Sequence, residues 1–214
     1  MSFSQPTPSG LSFIHIPKNA GTSIWRAIVD NRLPIIFGDH DYPRKLGDEE
    51  IVVLRDPIER FISAFFYGRT HWPNSISEQF SDPDELATSA ADPDHPKHDL
   101  ALIELGNLPE HFLLRNGEPT PQHTVASKLT RFSWVYEPQS TWLINQPVHI
   151  LRFRHLSDDF ARLVALKGLP MPSALPRLNS SQGGNDRLSS VAREFLHRTY
   201  TADFDFIGSH GLDV

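Results

Sequence analysis

Leu11–Ile28 reads LSFIHIPKNAGTSIWRAI, an apolar stretch that passes through a tight Pro/Asn/Gly turn into a helix-forming segment. The order of these elements decides the fold. A helix N-terminus leaves backbone N–H groups unpaired and carries partial positive charge, so a tight loop directly before it makes an anion site at the end of a buried strand. A second junction of the same kind follows. Ile51–Leu54 (IVVL) is a short continuous apolar run typical of a parallel strand buried on both faces, and it leads into RDPIERFISAFFYG. There Asp56, Pro57 and Glu59 supply an N-cap, a proline at the first helical position and a capping-box glutamate, so a helix begins. Ile58, Phe61, Ile62, Phe65 and Phe66 form its apolar stripe; Asp56, Arg60, Ser63 and Tyr67 form a second, polar one. Leu33–Phe37 (LPIIF) and Val148–Phe153 (VHILRF) read as further strands. Ser157 reads as the cap of a helix through Leu166, and another helix is expected from about Arg187 to Tyr200. Strands alternating with helices predict an α/β fold, a parallel sheet of four to five strands flanked by helices on both faces.

The first loop departs from the nucleotide-triphosphate pattern. A Walker A loop, G-x-x-x-x-G-K-[ST], places lysine directly after its second glycine, where it reaches the outer phosphates. Here Gly21 is followed by Thr22 and Ser23, Ile16 stands where the first glycine would be, and the lysine, Lys18, lies in the first half of the loop. The geometry is P-loop-like while the triphosphate chemistry is altered.

The arrangement P-K-x-[AG]-G-T-[ST] closely resembles the 5′-phosphosulfate loop of sulfotransferases that use 3′-phosphoadenosine 5′-phosphosulfate (PAPS). R-D-P-x-x-R-x-x-S at Arg55–Ser63 resembles the 3′-phosphate motif of the carbohydrate-type members, including the heparan sulfate 2-O-sulfotransferase branch and its bacterial relatives. The resemblance implies that Pro17, Lys18, Asn19, Ala20, Gly21, Thr22 and Ser23 surround the 5′-phosphate, with Lys18 stabilising charge on the bridging oxygen as the sulfuryl group departs. It implies that Arg55 and Ser63 grip the 3′-phosphate, and guanidinium plus hydroxyl suits a phosphate dianion. Arg60 has two readings, an i,i+4 pair with Asp56 or a functional role. His40, in Gly38-Asp39-His40-Asp41-Tyr42, matches the position of the family's catalytic base, and a histidine keeps a useful neutral fraction at pH 7. Asp39 and Asp41 are alternatives, as helpers, as replacements or as ordinary turn residues. The family's loop closing over the nucleotide falls on Arg177, Asn179, Ser180 and Ser181, whose other reading is a flexible polar linker. The segment FSWVYEPQSTWL resembles a P-Q region of bacterial members; its Phe132, Trp134, Tyr136 and Trp142 stack on a sugar ring or pack in the core, and at least two of the four are expected in the core.

The implied activity moves a sulfuryl group from PAPS to a hydroxyl of a carbohydrate or other small hydroxylated acceptor, leaving adenosine 3′,5′-bisphosphate. The scheme needs no metal. Two other classes stay open: a P-loop kinase using ATP and magnesium, and a non-catalytic nucleotide-binding protein. Neither an H-E-x-x-H pattern nor cysteine spacing suggests a metal site. Eleven histidines make count alone uninformative, and His15, inside the first strand, reads as a packed residue that shapes the loop.

Composition agrees with these readings without producing them. A chain of 214 residues, 39% hydrophobic, can bury a substantial core, so a single domain over 1–214 is expected, with 70–130 as a variable, acceptor-side insertion. Ser81–Asp99 reads as a loop or short helices, and an amphipathic helix fits Leu100–Leu108. The net charge of −6 argues against nucleic acid or a long polyanion as partner. No run approaches the roughly 20 apolar residues that span a bilayer, so no transmembrane segment and a cytoplasmic protein are expected.

Overall fold

The computed structural model describes residues 10–38, 47–72, 75–106, 114–115, 118–119, 133–143, 149–170, 175 and 187–214. They group into two compact units, one drawn from 1–56, 139–180 and 205–214, the other from 57–138 and 181–204.

The first unit is an α/β layer structure. Its strands are β1 (Leu11–Ile14), β2 (Ile36–Gly38), β3 (Glu49–Leu54) and β6 (His149–Arg152), all parallel, in the order β2-β1-β3-β6. The period of two along each strand divides the core between the faces. Leu11, Phe13, Ile51, Val53 and Leu151 meet α1 (Gly21–Asp30) and α5 (Leu156–Leu166) through Ile24, Ala27, Ile28, Phe160, Leu163 and Val164. On the other face Ile14, Val52, Leu54 and Ile150 meet Trp142 and Leu143, together with Phe206 and Ile207 from the end of α7 (Thr201–Ser209). Each large apolar side chain buried in this way contributes roughly 1.5–3 kcal/mol.

Boundaries differ from the sequence reading in instructive places. Leu33 and Ile35 are buried as expected, yet β2 pairs only from Ile36, after a turn containing Pro34, because proline cannot donate to a ladder. Ser157 does not cap α5. That helix starts at Leu156, directly after a 3-10 turn at Phe153–His155, and its first-turn Asp159 is tied to Arg152 instead. Asp159 accepts from the Arg152 backbone N–H at 2.9 Å, from Nε at 2.9 Å and from Nη2 at 2.8 Å, and also from Arg162. This fork holds the Asp159 carboxyl far below the usual carboxylate range, Arg152 being the main cause and burial opposing it.

The second unit is mainly helical: α2 (Pro57–His71), α3 (Pro83–Ala91), α4 (His98–Glu104) and α6 (Ser190–Thr199), with a short antiparallel pair, β4 (Leu114–Arg115) and β5 (Glu118–Pro119). α3 gives 81–99 the short-helix alternative of its two readings. It is capped by Asp82, whose side chain accepts from Glu85 N–H at 2.8 Å, with Pro83 at the first helical position. α6 is capped by Ser189, which accepts from Ala192 N–H at 3.2 Å. Tyr136 and Trp142 are buried, so two of the four aromatics belong to cores; Phe132 lies outside the described residues.

Several polar groups lie deep in this second core. Arg60 is 1% exposed and donates from Nη1 to Glu137 O at 2.7 Å and from Nη2 to Val135 O at 2.9 Å. Tyr200 donates to Tyr136 O at 2.9 Å, and Tyr136 donates to Glu104 Oε1 at 3.2 Å. Burial pushes Glu104 up to about 7, partly offset by the Tyr136 hydrogen bond, and pushes the Tyr136 phenol well above its ordinary value. Among the described residues no helix is long and apolar enough to cross a membrane.

Candidate anion-binding site at the sheet edge

Open parallel sheets bind ligands beyond the carboxyl ends of their strands. In the first unit that edge carries the loop after β1, the exit of β3 and the exit of β6. After Ile14 the chain turns through Pro17–Ala20, with Lys18 at φ 66° and Ala20 at φ 58°, both left-handed. Such non-glycine residues cost on the order of 1–3 kcal/mol each and persist only where their surroundings hold them. Asn19, between them and 1% exposed, does the holding. Its Nδ2 donates to Val53 O at 2.7 Å and to Gln139 Oε1 at 2.5 Å, and its backbone N–H donates to Ile16 O at 3.3 Å. With all its N–H donors engaged, Asn19 pins the loop and has none to offer a ligand.

α1 then begins without a side-chain cap and without an acidic residue in its first turn. The N–H groups of Ser23 and Ile24 turn back to Ala20 O at 2.9 and 3.2 Å, while those of Ala20 and Gly21 donate to nothing among the described residues. The positive end of this helix is therefore not neutralised by its own first turn. Gly21 is required by packing: a Cβ there would lie 1.8 Å from His15 Cδ2 and 2.0 Å from Nε2. His15 packs against this turn, with its ring 5.3 Å from that of Phe37, but it follows β1, which ends at Ile14, rather than lying inside the strand.

Arg55 is the first residue beyond β3. Its guanidinium lies over the Phe153 ring at 4.2 Å, and Nη1 donates to Lys18 O at 3.4 Å, a long contact. The cation–π contact contributes about 0.5–2 kcal/mol and fixes the orientation of a group that stays charged at any relevant pH. The main chain of Arg55 is held by Gln139, whose Oε1 accepts its N–H at 3.1 Å and whose Nε2 donates to its carbonyl at 2.8 Å.

No family model, curated protein or solved structure matches the chain. Of the residues singled out in the sequence, Pro17, Lys18, Asn19, Ala20, Gly21, Thr22, Ser23 and Arg55 all belong to the first unit, and the loop and Arg55 are brought into contact there. Lys18 and Thr22 are half-buried and Ser23 is buried. Ser63 belongs to the second unit, on α2, where it is 3% exposed and its hydroxyl makes no hydrogen bond among the described residues. His40, Asp39, Asp41, Arg177, Asn179, Ser180 and Ser181 lie outside the described residues. Gly38, two positions before His40, ends β2 opposite Ile14. Gln139 is the member of this site that the sequence did not name. Its only signal was the Pro138-Gln139 pair, because its partners are 84 and 120 residues away along the chain.

Proposed function

We propose that the chain is a PAPS-dependent sulfotransferase acting on a hydroxyl of a carbohydrate or another small hydroxylated acceptor. One observation carries this reading: the loop that resembles the family's 5′-phosphate segment and Arg55, the first residue of the segment that resembles its 3′-phosphate motif, lie together in the first unit, where Arg55 reaches the carbonyl of Lys18. The residues fit an anionic nucleotide. Ala20 and Gly21 offer N–H donors at an uncapped helix start, and Arg55 adds a positive charge held over the Phe153 ring.

The donor supplies an activated sulfuryl group; the chain supplies orientation, charge and a proton acceptor. In the proposed reaction the sulfur–oxygen bond to the 5′-phosphate breaks as a bond to the acceptor oxygen forms. Lys18 and the loop amides meet the charge that develops on the leaving phosphate oxygen, and His40 takes the acceptor proton. The resemblance assigns the 3′-phosphate to Arg55 and Ser63. The negative net charge suits a neutral acceptor better than a nucleic acid, and the cytoplasm is the compartment in which this reading places the reaction.

Titration calorimetry tests the reading. Adenosine 3′,5′-bisphosphate should bind one to two decades more tightly than AMP, since losing one charge-assisted contact costs about 1.5–3 kcal/mol. An acceptor screen with labelled PAPS should then detect transfer. Equal affinity for the two nucleotides, or a strict requirement for magnesium, would overturn the proposal in favour of a kinase.

A further inference from the structure

We infer that Gln139 is a positioning residue that fixes the phosphate loop and Arg55 relative to one another; its link to nucleotide discrimination rests on the sulfotransferase reading. Gln139 is 1% exposed and spends its carboxamide on two segments at once. Oε1 accepts from Asn19 Nδ2 at 2.5 Å and from Arg55 N–H at 3.1 Å, while Nε2 donates to Arg55 O at 2.8 Å. The ladder between β3 and β6 ends at Leu54 and Arg152, so Arg55 is the first residue of that strand's course without a neighbouring strand. The Gln139 side chain takes the place of that strand, supplying one acceptor and one donor to the main chain of Arg55.

The same oxygen reaches the loop through Asn19, whose other amide hydrogen goes to Val53 O at 2.7 Å. Val53, Asn19, Gln139 and Arg55 thus form one connected set joining the β3 exit to the residue between left-handed Lys18 and Ala20. Removing Gln139 takes an acceptor from Asn19 and both side-chain partners from the Arg55 backbone. A residue that merely filled the core would have no reason to address both segments.

Gln139→Ala should speed amide exchange in peptides covering both 17–24 and 51–56. It should also reduce the ratio of affinities for adenosine 3′,5′-bisphosphate over AMP about tenfold, the scale of one lost charge-assisted contact. Val164→Ala, a cavity in the core of the same unit that removes none of these hydrogen bonds, controls for general destabilisation and should leave that ratio unchanged. Should Gln139→Ala not fold, Gln139→Met keeps most of the side-chain volume and removes the hydrogen bonds to both segments, giving the same comparison. An unchanged affinity ratio, or faster exchange in only one of the two segments, would overturn the positioning role. Equal wild-type affinities for the two nucleotides would overturn the sulfotransferase reading instead, and the exchange pattern decides the coupling of the segments in either case.

Discussion

The two units use buried polar groups in opposite ways. In the first, Asn19 and Gln139 sit where strands end and hold main-chain segments whose hydrogen bonds no ladder supplies. In the second, Arg60, Glu104, Tyr136 and Tyr200 lie within a helical core and bond to one another's side chains or to the turn at 135–137. The first pattern secures a geometry; the second bears on stability and on its dependence on pH.

The largest effect that would test this contrast comes from Arg60. Arg60→Met keeps much of the volume but leaves the carbonyls of Val135 and Glu137 without their donor, and should cost about 3–5 kcal/mol. Urea unfolding measures it, and an unchanged midpoint would remove Arg60 from the stabilising role. Next comes Glu104, 7% exposed and pushed up to about 7 by burial. Below the ordinary carboxylate value of 4.5 both folded and unfolded states hold the proton; between 4.5 and 7 the unfolded state releases it first, so folding weakens as pH rises. Above 7 the loss levels off at on the order of 3 kcal/mol. Glu104→Gln should therefore melt higher than wild type at pH 8 and with it at pH 4, and a gain that does not depend on pH would contradict this account. The smallest effect belongs to the first unit. Gly21→Ala drives a methyl into His15 and should cost about 1–3 kcal/mol, most of it recovered in the Gly21→Ala, His15→Ala double variant. Additive losses would mean that His15 is not what excludes a side chain there.

What the sequence revealed follows the range of the forces involved. β1, the loop and α1, and likewise β3 and α2, were legible because apolar runs, proline and caps act over a few residues. The capping signal that marks α2, D-P-x-E at Asp56–Glu59, recurs at Asp82–Glu85 and starts α3, but the surrounding Ser, Asp and Ala left a loop and short helices equally open there. The task of Asn19 was not legible, since loop position suggests phosphate contact while its actual partners are Val53 and Gln139. For Arg60 the sequence offered a pair with Asp56 or a functional role, and its bonds to the Val135 and Glu137 carbonyls, 75 and 77 residues on, were not legible. Ser157 had the chemistry of a cap, yet the fork between Arg152 and Asp159 coincides with a helix that starts one residue earlier.

The order in which the sheet is strung together has a consequence for biosynthesis. β3 and β6 are hydrogen-bonded neighbours, but the chain from Leu54 to His149 passes through most of the second unit before it returns. On a ribosome, β1, β2 and β3 emerge early and wait with one side of β3 unpaired, an edge of the kind that recruits other strands. Phe206 and Ile207, which cover one face, arrive later still. Condensation of the intervening helices as they emerge would shorten that wait, making the helical unit in effect an internal chaperone for the sheet whose synthesis it interrupts.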